Sequence, residues 1–263
     1  MYTFEHVPYP TEEQKLIASN GTVWSNVPPQ TTSHTVFRPW RAVYGQAGVR
    51  NSLPEVASAN TADEIFKLMF DDEIIGTIVH WTNVKAEAEI TEWNSTHPAD
   101  QQKHPWLPLD NIQMRAHIGI LIHMGAEYHS KKPVCMMWRS HPKHTDHPVV
   151  ATMGRDRFLQ ITRYLRFDDL STREARKAND TIAAISDVYN SVVENFKKIY
   201  TPRKELTVDE TLVGFRGRFR HRVYIKSKPK RYGIKLWTLA DSHSRYAINM
   251  MVICHIFTAL KLG

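Results

Sequence analysis

The sequence predicts an α+β chain, with a mainly helical region followed by three antiparallel strands. Three observations predict it. Apolar residues recur at spacings of three and four up to Tyr200, Pro202 interrupts that pattern, and from Glu205 the period shortens to two.

Residues 1–60 carry no helical or strand period, and Val27-Pro28-Pro29-Gln30 breaks the segment further. A poorly ordered N-terminal segment is expected there, with Trp24, Phe37, Trp40 and Tyr44 as candidate anchors. The helical region is assigned to residues 61–203. It opens at Thr61-Ala62-Asp63-Glu64, which has capping-box spacing. Asp71-Asp72 start a second run, with Ile74, Ile75, Ile78, Val79 and Trp81 on one helical face. Asp110 starts a third, whose Ile112, Ile118, Ile120, Leu121, Ile122 and Met124 are so apolar that a buried helix is expected, ended by Gly125. Pro133, Pro142 and Pro148 make the next stretch irregular. A helix resumes over Arg155–Phe167, with Phe158, Ile161 and Leu165 inside and Arg155, Arg157, Arg163 and Arg166 around them. The most regular helix begins after Asn179-Asp180 and carries Ile182, Ile185, Tyr189, Val192, Val193, Phe196, Ile199 and Tyr200. Residues 204–263 hold the strands, Leu206–Val213, Ile234–Leu239 and Tyr246–Ile253, with a turn signal at Asp241-Ser242-His243-Ser244.

Composition narrows the function classes. Of 263 residues, 42% are apolar and 23% charged, an ordinary balance for a chain with a core. Two cysteines, Cys135 and Cys254, cannot build a disulfide framework. The N-terminus lacks a basic start followed by an apolar run, and the most apolar run, Ile118–Met124, is too short to cross a bilayer. A membrane role and a small-molecule substrate are not expected.

The net charge of +7 is local. Between Thr211 and Ala240 lie nine cations (Arg216, Arg218, Arg220, Arg222, Lys226, Lys228, Lys230, Arg231 and Lys235) and no acid, so the remaining 25 basic residues face 27 acidic ones. Such a patch fits a phosphate-backbone partner, and a solvated strand is the bland alternative. In an extended backbone Arg216, Arg218, Arg220 and Arg222 would share one face, unless Gly217 turns the chain.

Asp209 sits beside that patch. Alternation puts Asp209 and Thr211 on one face of the strand and Val208, Glu210 and Leu212 on the other. A mid-strand carboxylate suits a hard cation such as Mg²⁺, and pairs of such ions clamp the two oxygens in phosphodiester cleavage. That chemistry needs about three carboxylates from separate elements; a surface ion pair is the other reading of one.

The run Leu206–Arg218, followed by Tyr224–Lys235, resembles the piggyBac transposase family. Upstream stretches match in order: Phe70–Ile75, Trp81-Thr82-Asn83, His117–Gly125, Met153–Phe158 and Leu165–Asp169, so the resemblance covers about residues 64–253. It implies that residues 61–203 are a helical dimerisation and DNA-binding domain. It implies also that residues 204–263 are the first three antiparallel strands of a truncated RNase H-like catalytic domain. The family's reaction is cut-and-paste DNA transposition in the nucleus, a metal-dependent hydrolysis and strand transfer with Mg²⁺ and no covalent protein intermediate. Asp209 falls on the first of the family's three catalytic aspartates, and Glu210 is its motif neighbour. The family's second and third aspartates lie downstream of the third strand, and no residue here matches them or the cysteine-rich zinc module. Met250–Gly263 departs from the family pattern.

Two constellations are set aside. Asp241 reads as a turn cap. His141, His144 and His147, with His129 and Cys135 nearby, have no standard zinc spacing and are broken by Pro142 and Pro148, so a loop is expected. The expected function is a transposase derivative, catalytically incomplete in this chain and at most DNA-binding, with homodimerisation open. A domesticated DNA-binding or dimerisation module, or a fragment of a full-length active transposase, are the alternatives.

Overall fold

The computed structural model describes residues 47–126, 134–138 and 148–252, together with the backbone of two short antiparallel strands, Lys15–Ile17 (β1) and Val23–Ser25 (β2). Most of the expected unordered segment, and the histidine run 141–147, lie outside the described residues. Within the described residues the chain is already structured by residue 48. Gly48–Val49 (β3) pairs with Tyr200–Thr201 (β4), and Pro54–Ala57 (α1) follows.

The capping box at Thr61 opens α2 (Ala62–Met69): the Thr61 hydroxyl accepts from the Glu64 N–H, and the Glu64 carboxylate accepts from the Thr61 N–H at 2.9 Å. Asp71 then caps α3 (Asp72–Thr96) by accepting from the Ile74 N–H, and its other oxygen takes the Asn195 amide at 2.8 Å. Helix α3 runs far past Trp81, where its apolar period fades in the sequence. Ile74, Ile78, Thr82, Ala86 and Ile90 continue one buried stripe at i+4 spacing, and the small Thr82 and Ala86 hide it from a hydrophobicity reading.

Helix α4 (Asn111–Ala126) is where the expectation of a fully buried helix fails. Met114, His117 and Ile120 are buried, but Ile112 is 80% exposed and Leu121 and Ile122 also face out. The buried side of α4 packs on α3 and on the short helix Pro148–Thr152, and the apolar residues Ile112, Leu121 and Ile122 stay uncovered among the described residues. Next come α5 (Pro148–Thr152), α6 (Arg155–Tyr164), α7 (Leu170–Arg176) and α8 (Ser186–Ile199). Helix α8 starts later than Asn179-Asp180 suggest. Asp180 caps a turn at Ile182 and Arg176 binds the Ala183 carbonyl, so residues 181–185 stay outside the helix. The core joins α3, α4, α6 and α8 through Ile75, Met114, Phe158, Ile161 and Val192.

Two of the motif residues, Thr82 and Asn83, have packing roles. The Asn83 side chain accepts from the Trp106 indole (2.7 Å) and the Leu109 N–H (2.8 Å) and donates to the Leu109 carbonyl, fixing the connection to α4 on α3. Thr82 accepts from the Arg166 N–H, tying α3 to the end of α6.

Four strands follow: β5 (Leu206–Gly214), β6 (Val223–Tyr224), β7 (Tyr232–Asp241) and β8 (Ala247–Val252). All pairing is antiparallel, and β7 is central. It pairs along its whole length with β5 on one side, and with β6 and then β8 on the other. The two-residue β6 inside the basic stretch is an addition to the three strands expected. Gly233 permits the β5–β7 approach, since a Cβ there would run into the Val213 carbonyl oxygen. The outer edges of β5 and β8 are unpaired among the described residues. Val208 is 61% exposed, so β5 is open on its faces as well as its edge.

Candidate nucleic-acid interface beside Asp209

Asp241 builds the joint that aims the sheet. It is fully buried at the end of β7. Its Oδ1 accepts from the His243 and Ser244 N–H groups at 2.9 Å each, which is the expected turn cap. Its Oδ2 accepts from the Arg203 N–H at 2.7 Å and the Tyr200 hydroxyl at 3.2 Å, linking the β7–β8 turn to the strand that leaves α8. Burial pushes this carboxyl up, but the N–H donors of Ser244, Arg203 and His243 outweigh it and hold it at about 2. The Tyr200 and Tyr246 rings stack at 4.3 Å, and the Tyr246 hydroxyl donates to the Phe196 carbonyl of α8. The Asp241 end of the sheet is therefore fastened to the helices.

Asp209 lies in the middle of β5, opposite Thr238 of β7, and is exposed. Its Oδ1 accepts from the N–H of the next residue, Glu210, at 2.7 Å. Paired residues share a face, so Asp209, Thr211 and Val213 lie with Thr238, Leu236, Ile234 and Tyr232. Glu210 is on the opposite face, as its parity requires, and forms a 2.6 Å ion pair with Lys235. Among the described residues no three His, Cys, Asp or Glu side chains converge as metal ligands. The carboxylate chemistry present at Asp209 is that of one ligand and does not fit a two-metal clamp.

The basic stretch does not form the extended row that parity allows. The chain bends at Gly217-Arg218 and turns at Arg220-His221, closed by the Arg222 N–H on the Phe219 carbonyl. Arg222 then points back into its own loop: its Nη1 donates to the Arg216 and Gly217 carbonyls (2.9 and 3.1 Å), and its guanidinium lies 5.3 Å from the Tyr232 ring centre. It holds the loop's shape. Lys235 is neutralised by Glu210. Arg216, Arg218, Arg220, Lys226, Lys228, Lys230 and Arg231 are all exposed and make no ion pair among the described residues. A second bend at 226–230, closed by the Ile225 N–H on the Arg231 carbonyl, brings Lys230 beside Gly214. The result is a cleft of about 650 Å³ lined by Phe215, Arg216, Pro229, Lys230, Arg231 and Tyr232. Sequence reading did not single out Phe215, Tyr224 or Tyr232 as site residues. Their signal is the interleaving of rings with cations.

The arginines of α6 are mixed. Arg157 is half-buried, donates to Gln113 and lies 4.6 Å from the Trp106 ring centre, which is a packing role. Arg155 pairs with Asp156.

The structure is thus a mixed bundle of helices carrying an antiparallel sheet, with a strand aspartate and a basic loop on that sheet. The family model described as Transposase IS4 matches residues 61–256. The chain belongs to that family, and within it to the piggyBac transposases. It is 30% identical over 174 residues to piggyBac transposable element-derived protein 2 of Homo sapiens, covering 66% of this chain and 26% of that protein. It is 27% identical over 177 residues to piggyBac transposable element-derived protein 3 of Homo sapiens, covering 67% and 27%. The cryo-EM structure of a piggyBac transposase synaptic complex with hairpin DNA superposes with a TM-score of 0.65 at 31% identity, over 83% of this chain and 43% of that one. The chain spans about a quarter of the length of the curated relatives it matches.

Proposed function

We propose that this chain is a piggyBac-type transposase derivative that grips the phosphate backbone of DNA with its basic loops and, by itself, does not cleave it. The carrying observation is the set of seven exposed cations, Arg216, Arg218, Arg220, Lys226, Lys228, Lys230 and Arg231, presented at one end of the sheet with no acidic partner among the described residues. The solved piggyBac transposase relative holds hairpin DNA in its synaptic complex, which supports DNA as the partner; the nucleus is the expected place of action. In this reading β5, β7 and β8 are the opening strands of an RNase H-like domain, and Asp209 is its first Mg²⁺-ligating carboxylate. One carboxylate does not hold two metal ions, so cutting needs ligands that these residues do not supply.

The test is fluorescence anisotropy with a labelled duplex between 50 and 200 mM salt. Each phosphate contact contributes a slope of about −0.9 in log K against log salt. Replacing Arg216, Arg218, Lys228 and Lys230 together by alanine is expected to shallow that slope by about 3.6. An unchanged slope would remove the basic loops from the interface. A second reading, a dimerisation module, is favoured by the uncovered apolar side of α4 at Ile112, Leu121 and Ile122. Sedimentation of Leu121→Lys against the parent chain decides it: a monomer–dimer shift supports that face, and identical profiles reject it.

A further inference from the structure

We infer that the cleft lined by Tyr232, on the same sheet face as Asp209 and with Tyr224 paired next to it, binds unpaired DNA nucleotides by stacking them on these two rings, in addition to holding phosphates. This rests on the proposed DNA-binding reading and specifies the form of DNA. Tyr224 and Tyr232 are directly opposite each other in the β6–β7 pair, with ring centres 4.9 Å apart. They are 51% and 46% exposed, an unusual position for two adjacent rings that a core could have used. Phe215 closes the other side of the same cleft with its ring over Gly217, where a Cβ would collide with it. The cleft's volume of about 650 Å³ is within the range of about 300–1,000 Å³ typical of sites that enclose small organic groups.

The charges complement a nucleic acid strand. Arg216, Lys230 and Arg231 line the cleft and no carboxylate does. Rings set among such cations form the combination that holds single strands: cations track the backbone and each ring takes the face of one base. Duplex DNA keeps its base faces stacked inside the helix, so it can use the cations but not the rings. Pairing places Tyr232 on the same sheet face as Asp209, six residues along the β5–β7 ladder from its partner Thr238, or about 20 Å. A strand opened near Asp209 would reach the rings within a few nucleotides.

The experiment compares a labelled 12-nucleotide oligo(dT) with a labelled 15-base-pair duplex on the full chain, with folding of each variant checked by circular dichroism. Tyr224→Leu and Tyr232→Leu are each expected to weaken oligo(dT) binding about tenfold and leave duplex binding within twofold. An oligonucleotide carrying 5-iododeoxyuridine is expected to photocrosslink at Tyr224 or Tyr232. Unchanged oligo(dT) affinity in both variants, or crosslinks mapping only elsewhere, would overturn the stacking inference while leaving backbone binding intact. Failure of the parent chain to bind either DNA would defeat the DNA-binding reading itself.

Discussion

Asp241 and His117 are both buried and titratable, and they act on stability in separate pH windows. Asp241 is held at about 2 against an ordinary 3.8. Its contribution is complete above about pH 4 and is lost as pH falls through 2, amounting to about 2 kcal/mol. Asp241→Asn turns an amide N–H₂ toward backbone donors, and is expected to lower unfolding free energy by about 2–4 kcal/mol in urea at pH 7. His117 acts in the same direction, at higher pH and for a different reason. It is 1% exposed in α4, its ring packs 4.6 Å from Phe158, and neither ring nitrogen has a hydrogen-bond partner among the described residues. Burial lowers it from 6.5 to about 4, so the folded state keeps it neutral while the unfolded chain takes up a proton below 6.5. Stability should fall by about 2 kcal/mol between pH 8 and pH 5 from this group. His117→Met, of similar volume without the polar nitrogens, should flatten that slope in a pH series of urea melts. A slope as steep as the parent's would assign it to another group.

At the scale of elements, Asp168 governs how α6 passes into α7. It is fully buried and is bound by Arg173 and Arg176, both on α7, while Arg176 also reaches the Ala183 carbonyl. Burial pushes Asp168 up, and the two guanidinium groups more than offset it, leaving it below the usual carboxylate range. Asp168→Asn leaves two arginines without their counter-charge and is expected to cost about 3–5 kcal/mol, read as a drop in thermal midpoint. The sequence showed where these helices lie through period and caps: Thr61, Asp71 and Pro202 mark boundaries by local hydrogen bonding and backbone limits, which any sequence displays. It did not show the length of α3 or the open side of α4. Thr82 and Ala86 continue the buried stripe of α3 because their neighbours come close, and Ile112 is exposed because no described element covers it. Both depend on what lies across the contact. The same holds for Arg222 and Lys235. In the sequence they are two more cations; in the fold one holds a loop and the other pairs with Glu210.

For the whole molecule, the decisive feature is the division between a cored helical bundle and a sheet packed on it through β8 and the Asp241 joint. Nearly all the excess positive charge is on the loops of that sheet, so the proposed long-range attraction of DNA and the fold's stability are borne by different parts of the chain. Asp209 contributes to neither in the present geometry. Asp209→Asn is therefore expected to leave the thermal midpoint within a degree or two and duplex affinity unchanged or slightly higher. Plasmid incubated with Mg²⁺ should stay intact with both forms. Nicking by the parent chain that Asp209→Asn abolishes would show that the catalytic set is complete after all. The sequence by itself determined the order of the main helices and of the three long strands, the placement of charge and the family, because these follow from period, capping and motif spacing along one dimension. Only the tertiary structure decided which cations remain free, that Asp209 and Tyr232 share a face, and that Asp241 is a buried joint as well as a turn cap. Those properties arise from strand pairing and burial, which bring together residues that spacing along the chain leaves apart.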